Sequence, residues 1–254
     1  MSLPLITAPV LKSRGVVHGF TTREGGVSSS AFESLNLSRR EADSDKNVDE
    51  NRRRVAKALG VQHLAFARQV HGNQVLMIDR PRKDGVAGKG DALITNQRGI
   101  GLVAQTADCV PLLIHDPVQN TIAAVHSGWR GTVKEIARQA IDALLVAYGS
   151  RPSDLRAAIG PAISQENYRV GPEVLEQFIE VFGSLDGLAG PIDAEGGARL
   201  NNTAAVHRQL LEAGLSLDNI WVSDACTFAD DRFFSCRRAK GGPFGGQAGV
   251  IALV

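Results

Sequence analysis

The sequence predicts an α+β fold, a single domain over residues 1–254 in which mixed β-sheets are flanked by helices. Short apolar, strand-like runs outnumber amphipathic helical stretches. The two kinds do not alternate strictly, which argues against a doubly wound parallel sheet. With 254 residues, 43% of them hydrophobic and 22% charged, the chain can bury a core without disulfides or a structural metal.

In chain order, Val16–Phe20 is the first strand-like run. Val48–Leu59 carries helical periodicity and is closed by Gly60. Val75–Asp79, Ala92–Thr95, Leu102–Gln105, Val110–Ile114 and Ile122–Val125 are apolar runs of strand length. His115-Asp116-Pro117-Val118-Gln119-Asn120 joins the last two as a hairpin turn. The strongest helix is Val133–Tyr148. Its apolar residues recur at 133, 136, 137, 140, 141, 144, 145 and 148, Thr132 with Glu135 spells a capping box, and Gly149 suits the residue after the helix. Ala157–Ile159 is another strand. Pro172–Phe182 is a helix with proline in its first turn and Gly183 behind it. Thr203–Ala213 follows Asn201-Asn202 as a helix and stops at Gly214. Ile220–Val222, Phe233–Cys236 and Val250–Leu253 complete the strands. Gly25-Gly26, Lys83–Gly90, Gly183–Gly197 and Gly241–Gly249 read as loops.

Charge excludes one class of function. Twenty-eight Lys and Arg against 27 Asp and Glu leave a net charge of +1. A general nucleic-acid binder needs a cationic surplus to displace counterions, and nothing here attracts an acidic membrane. The three cysteines, Cys109, Cys226 and Cys236, are too few and scattered for a disulfide framework and fit a reducing compartment. Met1–Phe20 lacks the basic start and apolar centre of a secretory leader, and no apolar run reaches membrane-span length. The expectation is a cytoplasmic protein, a monomer or small homo-oligomer.

Chemistry concentrates in three segments, each at the end of a strand-like run: Gln69-Val70-His71-Gly72, Thr106-Ala107-Asp108-Cys109-Val110-Pro111 and His126-Ser127-Gly128-Trp129-Arg130-Gly131-Thr132. His71, Cys109 and His126 form a donor set that zinc binds tetrahedrally, with a fourth position left for water or substrate. A metal there makes bound water acidic enough to act near neutral pH. The same atoms permit a different chemistry, with Cys109 as nucleophile and His126 as its base. Both need a depressed thiol pKa, so the sequence leaves the two open. Asp91 and Asp108 are candidate acid–base groups, or caps of turns. Gly128 and Gly131 with the helix start near Thr132 suggest an anion site, to which Arg130 adds charge. Asn36, Arg52 and Gln69 are further polar candidates. His18, His63 and His207 read as surface or hydrogen-bonded residues, and Cys226, Cys236 and Trp129 as packing residues. His115, ending a strand beside the turn, fits either description.

Together these segments, with Asp91-Ala92-Leu93, Ile159-Gly160-Pro161 and Phe233-Phe234-Ser235-Cys236-Arg237-Arg238, resemble the YfiH-like family, also called the laccase-domain or multicopper polyphenol oxidase family. The likeness runs in order from about Gly19 to the C-terminus. It implies a zinc site of His71, Cys109 and His126, and phosphorolysis of adenosine and inosine, also methylthioadenosine, to base and ribose 1-phosphate. It further implies adenosine deamination, in which water attacks C6 of the purine with Asp108 or Asp91 shuttling the proton. The implied partners are purine nucleosides and inorganic phosphate; on the reading of the residues, backbone amides near Gly128–Thr132 and an arginine such as Arg52 are the groups expected to hold phosphate. A peptidoglycan-editing hydrolase using Cys109 and His126 is the alternative. A copper-dependent laccase is a second one. Six histidines with no His-x-His pair build several copper sites poorly, although copper can take the place of zinc at such donors. The chain departs from the family pattern at Ser127 (usually Ala), at Cys236 (usually Tyr), at Gly246-Gln247 (often Gly-Arg) and at Ala198-Arg199-Leu200 (usually Leu-Asp-Leu).

Overall fold

The structure is a computed structural model and describes residues 3–39, 43–81 and 85–254. Its elements, in order, are β1 (Leu5–Ile6), β2 (Val16–Thr21), α1 (Asp45–Leu59), β3 (His63–Arg68), β4 (Val75–Met77), β5 (Val86–Lys89), β6 (Ala92–Thr95), β7 (Ile100–Thr106), β8 (Val110–Asp116), β9 (Thr121–Ser127), α2 (Trp129–Val133), α3 (Ile136–Tyr148), β10 (Arg156–Ile159), β11 (Arg169–Val170), α4 (Pro172–Phe182), β12 (Ala198–Arg199), α5 (Asn202–Glu212), β13 (Ile220–Val222), α6 (Cys236–Ala239) and β14 (Gln247–Leu253).

Two six-stranded sheets carry the fold, in the orders β1-β2-β14-β7-β3-β5 and β13-β10-β8-β9-β6-β4. Both are mixed. In the first, β2, β14 and β7 pair antiparallel and β7, β3 and β5 parallel. In the second, β10, β8, β9 and β6 pair antiparallel, and the outer strands β13 and β4 pair parallel.

Side-chain alternation sets the layers, because successive residues of a strand face opposite ways. Leu113 of β8 and Ala124 of β9 point into a core between the sheets, where they meet Leu102 of β7 and Ile251 of β14. Their neighbours Leu112, Ile114, Ala123 and Val125 point outward and pack under α3 and α5. Val103, Val250 and Ala252 of the first sheet pack under Val55 and Leu59 of α1. The result is four layers: helix, sheet, sheet, helices. Both faces of the central strands are covered, so they read as continuous apolar runs. A smaller core joins α4 and the antiparallel β11–β12 pair to Trp129 and Val133. Among the described residues no helix is long and apolar enough to cross a membrane.

The expected helices stand, with one correction. Val133–Tyr148 is not one helix. Thr132 is fully buried, and its hydroxyl meets Ser127 Oγ at 2.8 Å and the Gly128 carbonyl at 3.2 Å. It therefore makes no capping box. Glu135 takes a left-handed φ of 57°, and α3 begins at Ile136 and ends at left-handed Gly149. Trp129 to Val133 form the separate short α2, preceded by extended Gly128.

Two further expectations change. Phe233–Cys236 is not a strand. Phe233 and Phe234 are buried, but Ser235 caps the short α6, accepting from the Arg238 amide. Lys83–Gly90 is not all loop. Residues 82–84 lie outside the described part, and Val86–Lys89 is β5, paired parallel with β3.

Candidate metal centre

The three donors meet. His71 follows β3, Cys109 sits between β7 and β8, and His126 lies on β9 opposite Pro111. Their ligand atoms all lie within 4.8 Å of one another. Cys109 Sγ is 3.9 Å from His71 Nε2, and the two imidazoles stand edge to face, 4.8 Å between ring centroids. Among the described residues this is the one group of three or more His, Cys, Asp or Glu placed to share an ion.

Backbone geometry supports the convergence. His71 and Asp108, beside Cys109, both have positive φ, 56° and 88°, a conformation that folds a loop back sharply at a local cost. Gly128 closes the third side. A Cβ there would stand 2.8 Å from His71 Cδ2 and 2.9 Å from Cys109 Sγ, so only glycine lets the chain pass behind the donors.

Asp91 organises the set without belonging to it. Its Oδ1 accepts from the His71 amide at 3.0 Å and from His126 Nδ1 at 2.9 Å. Its Oδ2 accepts from the Val70 amide at 3.2 Å and the Gly72 amide at 2.8 Å. One carboxylate thus shapes the loop that carries the first histidine and orients the second. With Nδ1–H donating to Asp91, the Nε2 lone pair of neutral His126 is left for the centre.

Electrostatics follow from this packing. Burial alone would raise the Cys109 thiol, but His126 and His71 beside it outweigh burial and hold it down at about 6. Burial disfavours a charged His126, yet Cys109 and Asp91 raise it to about 9. Before an ion binds, the pair therefore favours thiolate and imidazolium. Asp91 is lowered: burial opposes its charge, and the bonds from His126, Gly72 and Val70 prevail.

The other sequence candidates have different tasks. Asp91 and Asp108, expected to transfer protons, are both engaged by internal donors. Asp108 accepts from the Thr227 hydroxyl at 2.7 Å, the Ser235 hydroxyl at 2.9 Å and the Arg237 amide at 2.7 Å, tying the segment before α6 to the Cys109 loop. Asn36 is fully buried, and its Oδ1 accepts from the amides of Ser38 and Gly246. Arg52 lies over the Phe66 ring at 3.8 Å and donates to the Leu37 carbonyl. Burial, reinforced by Arg39, lowers it to about 10. Gln69 clamps the backbone of Gln105 through both ends of its amide. Arg130 is exposed and lies over Trp129 at 4.4 Å. Asn36 and Gln69 thus shape the surroundings of the site, Arg52 is held by Phe66 and the Leu37 carbonyl, and Arg130 is exposed beside Trp129.

A cavity of about 160 Å³ opens onto the three donors. Its remaining wall includes Ser38, Gln105, Thr106, Cys236, Phe244 and Gly246. Cys236 is exposed here, not a packing residue. Thr106 and Cys236 lie inside motifs, and Gly246 at a departure from the family pattern, whereas Ser38, Gln105 and Phe244 carried no sequence signal. The paired Gly245-Gly246 is the trace that could have pointed to a close approach, since a Cβ on Gly245 would stand 2.7 Å from the Phe234 ring.

Residues 17–254 match the family described as multi-copper polyphenol oxidoreductase laccase. The chain belongs to this laccase family. It is 42% identical to a protein of Deinococcus radiodurans named purine nucleoside phosphorylase, over 94% of this chain and 89% of that one. It is 34% identical to purine nucleoside phosphorylase YlmD of Bacillus subtilis, over 95% and 90%. The crystal structure of the hypothetical protein YfiH from Bacillus licheniformis, 34% identical, superposes with a TM-score of 0.89 over 94% of this chain and 93% of that one. The two-sheet α+β architecture is therefore that of the laccase family.

Proposed function

We propose that the chain is a purine nucleoside phosphorylase that acts on adenosine and inosine, and also methylthioadenosine, and that deaminates adenosine at the same centre. One observation carries this reading: the converged His71–Cys109–His126 set opens into a small-molecule cavity, in a chain whose relatives bear that name over nearly its whole length. The donors suit zinc: two imidazole nitrogens and a thiol already favouring its thiolate, with glycine where a side chain would crowd them. Copper is an alternative occupant of the same donors. A zinc held there supplies Lewis acidity and lowers the pKa of water near it.

The chain itself binds and orients. Asp91 fixes His126, and the cavity seats the substrate beside the three donors. In phosphorolysis the C1′–N9 bond breaks with its electrons going to the base, a phosphate oxygen bonds C1′, and the base takes up a proton. Incubation of inosine and phosphate with zinc-loaded protein should yield hypoxanthine and ribose 1-phosphate in equal amounts, and Cys109→Ala should abolish both. Zinc-loaded protein that forms neither product at any substrate level refutes the reading.

A specific observation favours a second reading. Cys109, His126 and Asp91 stand in the order of a nucleophile, its base and the group that orients the base. A hydrolase of the peptidoglycan-editing type would keep its activity in chelator and lose it on thiol alkylation, whereas the metal reading requires that chelation abolish activity.

A further inference from the structure

The cavity wall contains one carbocyclic aromatic side chain among the described residues, Phe244. It is half-buried and sits in the loop between α6 and β14. Upstream of it, Lys240 and Gly241 have positive φ, and Gly241, Gly242 and Pro243 are exposed. Downstream the backbone is pinned. Gly245 lies against the Phe234 ring, the Gly246 amide donates to Asn36 Oδ1 at 2.9 Å, and β14 begins at Gln247. The ring is therefore carried on an anchored stalk and belongs to none of the hydrophobic cores among the described residues.

A second observation comes from the same wall. Thr106 is 4% exposed, and its hydroxyl oxygen is buried without a hydrogen-bond partner. A buried hydroxyl left unpaired costs stability and calls for a partner from outside the chain, a water or a ligand atom; of the unpaired buried side-chain atoms among the described residues, this is the one whose residue lines the cavity. Thr106 ends β7, opposite Gln247 in the register with β14. The ring and the hydroxyl thus come from neighbouring strand ends.

We propose that Phe244 and Thr106 form the base subsite of the cavity: the planar heterocycle of the substrate stacks on the Phe244 ring, and a polar atom of the same substrate pairs with the Thr106 hydroxyl. This deepens the nucleoside reading and rests on it. An aromatic face accepts any planar base, because every base has a π-face. Shape and stacking therefore set affinity here, and one hydroxyl sets orientation.

The test separates stacking from catalysis. Phe244→Ala should raise KM for inosine by about tenfold or more while kcat changes by less than about threefold. Phe244→Trp should restore KM, and Phe244→Leu, which keeps apolar bulk without a π-face, should not. Thr106→Val should raise KM by a few-fold and Thr106→Ser should not. Circular dichroism of each variant reports folding. A readout independent of turnover is binding of free hypoxanthine and adenine, followed by saturation-transfer NMR on wild type and Phe244→Ala. If wild type binds the bases and Phe244→Ala does not, the subsite stands even if no phosphorolysis is found, and only the reaction is then wrong. If wild type binds neither base, or if Phe244→Ala and Phe244→Leu both bind and turn over as wild type does, the proposal is overturned.

Discussion

Replacing Asp91 by Asn probes the centre without touching a donor. The side chains are nearly the same size, but one carboxylate oxygen becomes an NH2 group. Each Asp91 oxygen accepts two hydrogen bonds, one from His71 N and His126 Nδ1, the other from Val70 N and Gly72 N. Whichever way the amide turns, two buried donors lose their acceptor and face another donor. Hydrogen bonds to a charged group contribute about 1.5–3 kcal/mol each, so the loss of two should cost roughly 3 kcal/mol or more. If the NH2 group faces His126, Nδ1 must accept from it and the imidazole must carry its proton on Nε2, which turns an N–H rather than a lone pair toward the centre. Altered outer partners of a metal-binding histidine lower affinity by about 10- to 100-fold. Three measurements check this: the urea midpoint, zinc affinity by competition with a chromophoric chelator, and the His126 tautomer by 15N NMR. An Asp91→Asn protein that binds zinc within about twofold of wild type, at an unchanged urea midpoint, refutes the reasoning.

Other outcomes follow from the same geometry. Gly128→Ala keeps an ordinary φ of −74°, so the backbone is not strained, but its methyl group would stand under 3 Å from His71 and Cys109 and must displace them; zinc affinity should fall more than the urea midpoint does, as calorimetric zinc titration beside a urea melt reads. In metal-stripped protein the Cys109 thiol, held at about 6, should alkylate quickly at pH 7 and slow as pH falls through that value; His126→Ala should move this profile to higher pH, and zinc should block it, as read by mass-spectrometric mapping of each cysteine. His115 is buried on β8, and burial, with Arg156 nearby, pushes it down to about 4. The unfolded chain takes up that proton near the ordinary 6.5, so stability should be full above that pH and decline as pH falls from 6.5 towards 4, by up to about 3 kcal/mol. His115→Gln should flatten this decline in urea melts taken between pH 4.5 and 7; an unchanged slope counts against it.

The donors were legible because catalytic chemistry confines itself to few residue types. His71, Cys109 and His126 each stand beside glycine, aspartate or serine at a strand end, and that pattern survives in one dimension. The central strands were legible for the opposite reason, since burial on both faces leaves unbroken apolar runs such as Val110–Ile114. What escaped was set by long-range polar contacts. Thr132 could not be known to turn its hydroxyl back to Ser127 and so leave Glu135 uncapped. Phe233–Cys236 resembles a strand by apolarity, but Asp108, more than a hundred residues away, holds Ser235 and Arg237 in a turn. β5 contains Gly88 at φ 148° and pairs only with β3, so its own sequence carries little strand preference. Asn36 and Arg52 stood out as polar candidates, but what holds them was not legible. Their partners are backbone groups such as Ser38, Gly246 and Leu37, which no side-chain pattern announces.

The path of the chain between its two sheets gives the donor set a mechanical meaning. His71 lies where the chain leaves β3 of one sheet for β4 of the other, and Cys109 where it leaves β7 for β8. His126 belongs to β9 of the second sheet. An ion shared by the three would act as a rivet through both sheets at one end. Conversely, the spacing of the rivet holes is set by how Leu102 and Ile251 seat against Leu113 and Ala124 in the layer between. A methylene removed there, one layer behind His126 on β9, would let the two sheets repack and loosen the grip on the ion. Ion affinity thereby becomes a gauge of how well the two sheets fit.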